Sequence, residues 1–467
     1  MTAIVTRVSA PEICATWARA GLAEDHLVYE GTDGWVYAGG ARCEIVLTAS
    51  QVRVTSHDGK GGTSVRVSPY TVRPAQALEE ALAGLDLETW RAYGWIGFDF
   101  CAPFHGATGH LDDDDELAHL FVPEFEAFVD RSGDLRFVGV DSELETRMRS
   151  LAANPIRVDD DARRPLPVTE DATNYRERVA TAIDEIHAGR YEKVIISREV
   201  TVPFDVDIPA TYLTGRLANT PARSFTFRLG GLEAAGFSPE IVGSVDESGL
   251  ITTEPVAGTR AHGVSPEADA AARAELENDD KEIVEHAISV RTSCAEVAAV
   301  AVPGTTAVAE FMTVRPRGSV QHLASTVVGQ LAQPRSAWDA LQELFPSVTA
   351  SGIPKAPAVD AIYRLEASRR GVYSGAVVTA SSAGELEATL VLRSVYRDGD
   401  RSWLRAGAGI VRQSSPEREF TETCEKLGSV APYLVAEATA AAARAKSDSS
   451  AGSTAGAGAA EFQAARS

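Results

Sequence analysis

Three apolar stretches separated only by glycine turns dominate the C-terminal part of the chain. They are residues 372–379 (VYSGAVVT), 386–396 (LEATLVLRSVY) and 403–411 (WLRAGAGIV), with Ala383-Gly384 and Asp398-Gly399 between them. Such spacing predicts three strands in an antiparallel meander. Phe225, Phe227 and Leu229 alternate up to Gly230-Gly231, and a second strand runs on into Gly236-Phe237-Ser238-Pro239-Glu240, which predicts a hairpin. Helical patterns lie between these strands. Tyr175, Val179, Ile183 and Ile186 recur at helical spacing before Gly189, and a long helix is expected from about residue 267 to 300. Ser415-Pro416 reads as a cap with proline in the first turn of another helix. The expected fold class is α+β, a large antiparallel β-sheet sandwich folded on itself with helices packed outside.

Residues 1–168 show weaker signals, with strand fragments at 35–37 and 52–54, a helix at 78–87, and a solvated acidic loop at 112–116. Residues 157–169 read as a connector. The sequence therefore divides into 1–168, an N-terminal part of the fold, and 169–436, the chemistry-bearing region. Residues 437–467, mostly Ala, Ser and Gly, form a tail expected to be disordered.

A net charge of −22 argues against a nucleic-acid partner, because phosphate binding needs clustered Lys and Arg. It leaves a locally cationic pocket for a small anion open. The five cysteines are scattered and contain no CxxC pair, which fits reduced thiols in a cytoplasmic protein. No apolar run approaches membrane-spanning length, and no signal core opens the chain, so no membrane association is expected.

Two acidic pairs stand at helical spacing: Glu282 with Glu285, and Glu419 with Glu422. Residues three or four apart share a helix face, so each pair can aim two carboxylates at one point. On spacing alone these are solvated helix faces; if the two helices face each other, they offer an all-oxygen site suited to Mg2+. Lys193 lies in a strand rich in Val and Ile. It is either an edge lysine or, if buried, a candidate base. Glu240 ends a Gly-Phe-Ser-Pro turn and is either a surface acid or, in a pocket, a proton donor. Residues 255–260 (PVAGTR) and 405–409 (RAGAG) read as small-residue loops with exposed backbone N–H groups. Arg393 and Tyr373, on adjacent meander strands, suit carboxylate binding, although an exposed strand arginine is the plainer reading for Arg393.

Seven stretches in fixed order then carry a resemblance: YEKVIISR (191–198), GFSPE (236–240), TEPVAGTR (253–260), KEIVEH (281–286), SVQHL (319–323), LRAGAG (404–409) and SPEREFTETCEK (415–426). Through them the chain resembles the chorismate-utilising enzymes, which include isochorismate and salicylate synthases and the large subunits of anthranilate and aminodeoxychorismate synthases. FMTVRPRGSVQHL (311–323), SVTASGIPK (347–355) and RGVYSGAV (370–377) are most similar to the salicylate synthases of mycobactin-type siderophore pathways.

The resemblance implies a mechanism. Lys193 activates water for attack at C2 of chorismate, Glu240 protonates the departing C4 hydroxyl, and His322 lines the site near that hydroxyl. Mg2+ bridges the ring carboxylate to Glu285 and Glu422, with Glu282 and Glu419 holding it directly or through water. Lys426, Gly258, Thr259 and Gly409 surround the ring carboxylate, and Tyr373, Arg393 and Gly407 hold the enolpyruvyl carboxylate. Isochorismate then loses pyruvate to give salicylate, a step governed by positioning. Lysine at 193 favours water over ammonia as nucleophile, and Val256-Ala257 stand where aminodeoxychorismate synthases place their lysine, so amine transfer is disfavoured. An isochorismate synthase that stops after the first step is the main alternative, and a non-catalytic chorismate sensor is a remoter one. The resemblance further implies a monomer.

Overall fold

A computed structural model describes residues 8–59, 61–70, 73–263, 265–317 and 320–437. Apart from Glu437, the tail expected to be disordered lies outside them. Every strand pairing among the described residues is antiparallel. Neighbour to neighbour, the pairings join one continuous sheet. It runs from Lys193–Val202 through Arg401–Ile410, Ser394–Asp398, Leu232–Ser238 and Arg223–Leu229 to His26–Glu30. From there it crosses Gly34–Thr48, Glu116–Asp130 and Arg91–Ile96 to Ala376–Ser381, Leu386–Leu390 and Ile241–Val245. The N-terminal strands thus form the middle of the sheet, and the later strands continue it on both sides.

Alternation of side chains sets the layers. Leu27 and Tyr29 point into a core shared with Phe121, Phe225, Phe227, Val377 and Tyr396, between facing parts of the sheet. Val28, one residue over, faces outward against Cys14 and Trp17 of the helix Ala10–Arg19. A third apolar cluster seats the helices Tyr175–His187, Ala337–Leu344 and Lys355–Leu365 against the sheet. Helices outside a folded antiparallel sheet are the expected α+β architecture. The predicted hairpin forms as Arg223–Leu229 and Leu232–Ser238, with Gly230 and Gly231 at φ 57° and 90° in the turn. Left-handed φ at two successive positions is a conformation that glycine alone adopts without a Cβ penalty.

Three local expectations change. Residues 386–396 are two strands rather than one, broken at Leu392-Arg393, where Arg393 takes φ 51°. Leu386–Leu390 pairs with Ala376–Ser381 and Ile241–Val245, whereas Ser394–Asp398 pairs with Leu232–Ser238 and Arg401–Ile410. The chain changes partners there, so no three-strand meander exists. The helix expected from 267 to 300 is interrupted at Asp279, whose carboxylate caps Asp280–Val300 by accepting from the N–H groups of Lys281 and Glu282. Residues 255–260, expected as a loop, lie largely in the strand Val256–Ala261, while 405–409 fall inside the strand expected at 403–411, observed as Arg401–Ile410.

Candidate active site

The strand Lys193–Val202 and the helix Asp280–Val300 bring the Lys193 amine and the Glu285 carboxyl group together. Lys193 is 3% exposed; its Nζ lies 2.7 Å from Glu285 Oε1 and donates to Ser289 Oγ at 3.3 Å. Burial on this scale rules out the edge-lysine reading. The cap at Asp279 fixes the start of the helix, from which Glu282 lies against Gly258 and Arg260 of the strand Val256–Ala261 and Glu285 against Gly409 of Arg401–Ile410. Glycine at 409 is a matter of space, because a Cβ there would lie 2.6 Å from Glu285 Oε1.

The helix Pro416–Leu427 supplies the opposing carboxylates. Ser415 caps it by accepting from the Arg418 N–H, as the Ser-Pro pair predicts. Glu422 Oε1 lies 2.8 Å from Lys426 Nζ, which also donates to Gly407 O at 2.9 Å. Glu419 is fully buried, with Oε1 accepting from Lys281 Nζ at 3.2 Å and Oε2 without a partner. Arg260 reaches Glu282 Oε1 at 3.5 Å while holding Asp279 at 2.7 Å.

The carboxylates feel one another. Burial, then the charges of Glu285 and Glu422, push Glu282 up to about 7. Burial, then Glu422, raises Glu419. Burial works to raise Glu422 too, but Lys426 and other cations outweigh it and hold that carboxyl below its ordinary value. As they stand, no three acidic, His or Cys side chains among the described residues group around one point, because each carboxylate leans on its own cation. The donor set still fits a hard divalent ion. It is all oxygen, its members repel one another across a short gap, and one buried oxygen lacks any partner.

Glu240 closes another side of the cleft at 3% exposure. Thr349 Oγ1 donates to its Oε1 at 2.8 Å, and Oε2 is buried without a partner. Burial is the main cause that pushes this carboxyl up to about 8, so it holds its proton at neutral pH. The turn ahead of Ala376–Ser381 presents Tyr373, whose hydroxyl lies over Gly407; a Cβ on Gly407 would approach it to 3.1 Å. Arg393, in the left-handed break, is 8% exposed and donates to His322 Nε2. The other ring nitrogen, Nδ1, lies 2.7 Å from Gly258 O and must donate to it, which makes Nε2 the acceptor. Burial, then Arg393, keeps His322 neutral. No carboxylate of the described residues forms an ion pair with Arg393, and burial lowers it to about 10, so it is a buried cation in want of an anion.

One cleft is lined by Lys193, Glu240, Gly258, Thr259, Glu282, Glu285, His322, Tyr373, Arg393, Gly407, Gly409, Glu422 and Lys426. Of the predicted site residues, Glu419 alone does not line the cleft and sits behind it. Three neighbours carry no role in the sequence reading: Thr349 on Glu240, Ser289 on Lys193, and Lys281 among the glutamates. Thr349 lies inside the SVTASGIPK stretch, but nothing in its spacing announces a partner 109 residues away.

Among the described residues no helix is long and apolar enough to cross a membrane. Comparison with known proteins agrees with the geometry. The family profile of chorismate binding enzymes matches residues 27–432. A salicylate synthase of Mycolicibacterium paratuberculosis is 48% identical over 418 residues, covering 90% of this chain and 91% of the relative. An anthranilate synthase component 1 of Aeropyrum pernix is 40% identical over 255 residues, 54% of this chain and 58% of the relative. In fold, the chain is similar to anthranilate synthase component I from Streptococcus pneumoniae (TM-score 0.67, 24% identity, covering 86% of this chain and 92% of that one). It is also similar to the menaquinone-specific isochorismate synthase MenF from Escherichia coli (TM-score 0.65, 21% identity, 92% of each chain). A buried lysine, a protonated buried carboxyl and three glutamates lining one cleft are thus set on the fold these enzymes share, and the chain belongs to the chorismate binding enzyme family.

Proposed function

We propose that the chain is a Mg2+-dependent salicylate synthase, converting chorismate to isochorismate and then to salicylate and pyruvate. The observation that carries this reading is that Lys193 and the protonated Glu240, both buried, line the same cleft as three of the four glutamates and the unpaired Arg393. The 48% identity to a salicylate synthase over nearly the whole of both chains supports the choice of product.

Glu285 and Glu422, with Glu282 and Glu419, would hold Mg2+, which would supply the positive charge that a ring carboxylate needs among so many acidic groups. Lys426 and the backbone at Gly258, Thr259 and Gly409 orient that carboxylate. Arg393, Tyr373 and Gly407 take the enolpyruvyl carboxylate, with His322 fixed by Gly258 O and its Nε2 turned to Arg393. Lys193, as the neutral amine, takes a proton from water as the water oxygen bonds to C2. The ring double bond shifts, the C4–O bond breaks, and Glu240 Oε2 gives its proton to the leaving hydroxyl, so water enters and water departs. In the second step the C2 hydrogen moves to the side-chain methylene while the ether C–O bond breaks, releasing pyruvate. The enclosed cleft contributes alignment, and no further base is required.

Purified protein incubated with chorismate and MgCl2, with products separated by liquid chromatography, tests the reading. Salicylate and pyruvate in equal amounts are expected. Isochorismate alone assigns the shorter reaction, and unchanged chorismate refutes catalysis.

A further inference from the structure

Glu419 differs from the other three glutamates. It lies behind the cleft, fully buried, with one oxygen on Lys281 and the other on nothing. Lys281 stands in the first turn of Asp280–Val300, between Asp279 and Glu282, and its side chain is 25% exposed. Burial disfavours its charge, but the pull of Glu419, Glu285, Glu422 and Glu282 outweighs that penalty, in that order of strength. The amine does not line the cleft, so it has no contact with a substrate there. Its Nζ lies 3.2 Å from Glu419 Oε1, one residue along the helix from Glu282.

We propose that Lys281 is a tethered counter-ion of the carboxylate cage, competing with the divalent ion for Glu419 and so setting how tightly the protein holds that ion. The inference rests on the Mg2+ reading above. Its direction follows from two effects of equal sign. In the metal-free protein the ammonium offsets repulsion among the glutamates, which stabilises the state without metal. In the metal-bound protein it repels a double positive charge nearby. Removing it therefore weakens the free state and strengthens the loaded one.

Isothermal titration with MgCl2 at pH 8, without substrate, compares the wild type with K281M, K281Q and K281R, alongside thermal melts of each. The neutral variants are expected to bind Mg2+ at least tenfold more tightly, which corresponds to about 1.4 kcal/mol. They are also expected to melt lower than the wild type without Mg2+ and to gain more on its addition, while K281R keeps wild-type affinity. Neutral variants that fold and bind Mg2+ no better than the wild type overturn the counter-ion role. So does K281R if it tightens binding as much as K281M. A wild type that binds no Mg2+ at all overturns the metal reading itself, an outcome visible before any variant is compared.

Discussion

Replacing Glu240 by glutamine separates what this buried carboxyl does for stability from what it does for chemistry. Burial raises it from the ordinary 4.5 to about 8. Each pH unit between those values is worth about 1.36 kcal/mol, so the folded protein carries a penalty on the order of 5 kcal/mol once the group ionises. The sign is fixed by proton counts. Between pH 4.5 and 8 the unfolded chain has released this proton and the folded chain still holds it, so the wild type loses stability as pH rises through that window. Glutamine has the same shape and no proton to lose. Urea unfolding at pH 5, 7 and 9 is therefore expected to show E240Q gaining on the wild type by several kcal/mol, nearly all of it before pH 8. Catalysis runs the other way. General acid assistance contributes roughly 100- to 10,000-fold, so kcat on chorismate at pH 7.5 falls by that factor, about 2.7–5.4 kcal/mol of barrier. A stability difference that does not change with pH, or a variant retaining a tenth of wild-type kcat, refutes the assignment.

Lys193→Ala is expected to abolish isochorismate formation from chorismate while supplied isochorismate still loses pyruvate; full activity on chorismate refutes the base. Thr349→Val removes the donor to Glu240 Oε1, a bond that holds the carboxyl below where burial alone would put it. We expect kcat to fall about tenfold, in line with the roughly 1.5 kcal/mol of a hydrogen bond to a buried group, and the alkaline limb of the rate profile to move to higher pH. T349S restores both, and an unmoved alkaline limb argues for packing alone. Gly409→Ala places a methyl group 2.6 Å from Glu285 Oε1, the end of a side chain that can turn aside, so the melting temperature should change little while Mg2+ binding, read by calorimetry, weakens about tenfold, roughly 1.4 kcal/mol. Equal Mg2+ affinity in the variant contradicts the ligand role of Glu285.

What the sequence made legible was local chemistry with a strict spacing rule. Gly230-Gly231 between alternating phenylalanines could form only a tight hairpin, and Ser415-Pro416 could open only a helix. Helical spacing put Glu282 beside Glu285 and Glu419 beside Glu422, but only their partners in space could tell buried carboxylates from a solvated face. The positions that resisted are those where tertiary contacts override local preference. Arg393 turns left-handed between two strands that pair with different neighbours, and nothing in LEATLVLRSVY marks that exchange. Asp279 interrupts a helical pattern that would otherwise run on, because its side chain competes for backbone N–H groups as a cap. Gly407 and Gly409 fall in the strand predicted at 403–411, but that they go without side chains so that Tyr373 and Glu285 fit beside the backbone is visible only in three dimensions. The place of the N-terminal strands in the middle of the sheet depends on pairings across two hundred residues, such as His26 with Arg228.

Crystals grown with Mn2+ in place of Mg2+, measured at the manganese absorption edge, test the account most directly. An anomalous peak within about 2.3 Å of carboxylate oxygens of Glu285 and Glu422, bordered by Glu282 and Glu419, is the expected result. A peak elsewhere, or four carboxylates still seated on Lys193, Lys426, Lys281 and Arg260 with no metal among them at saturating Mn2+, contradicts it.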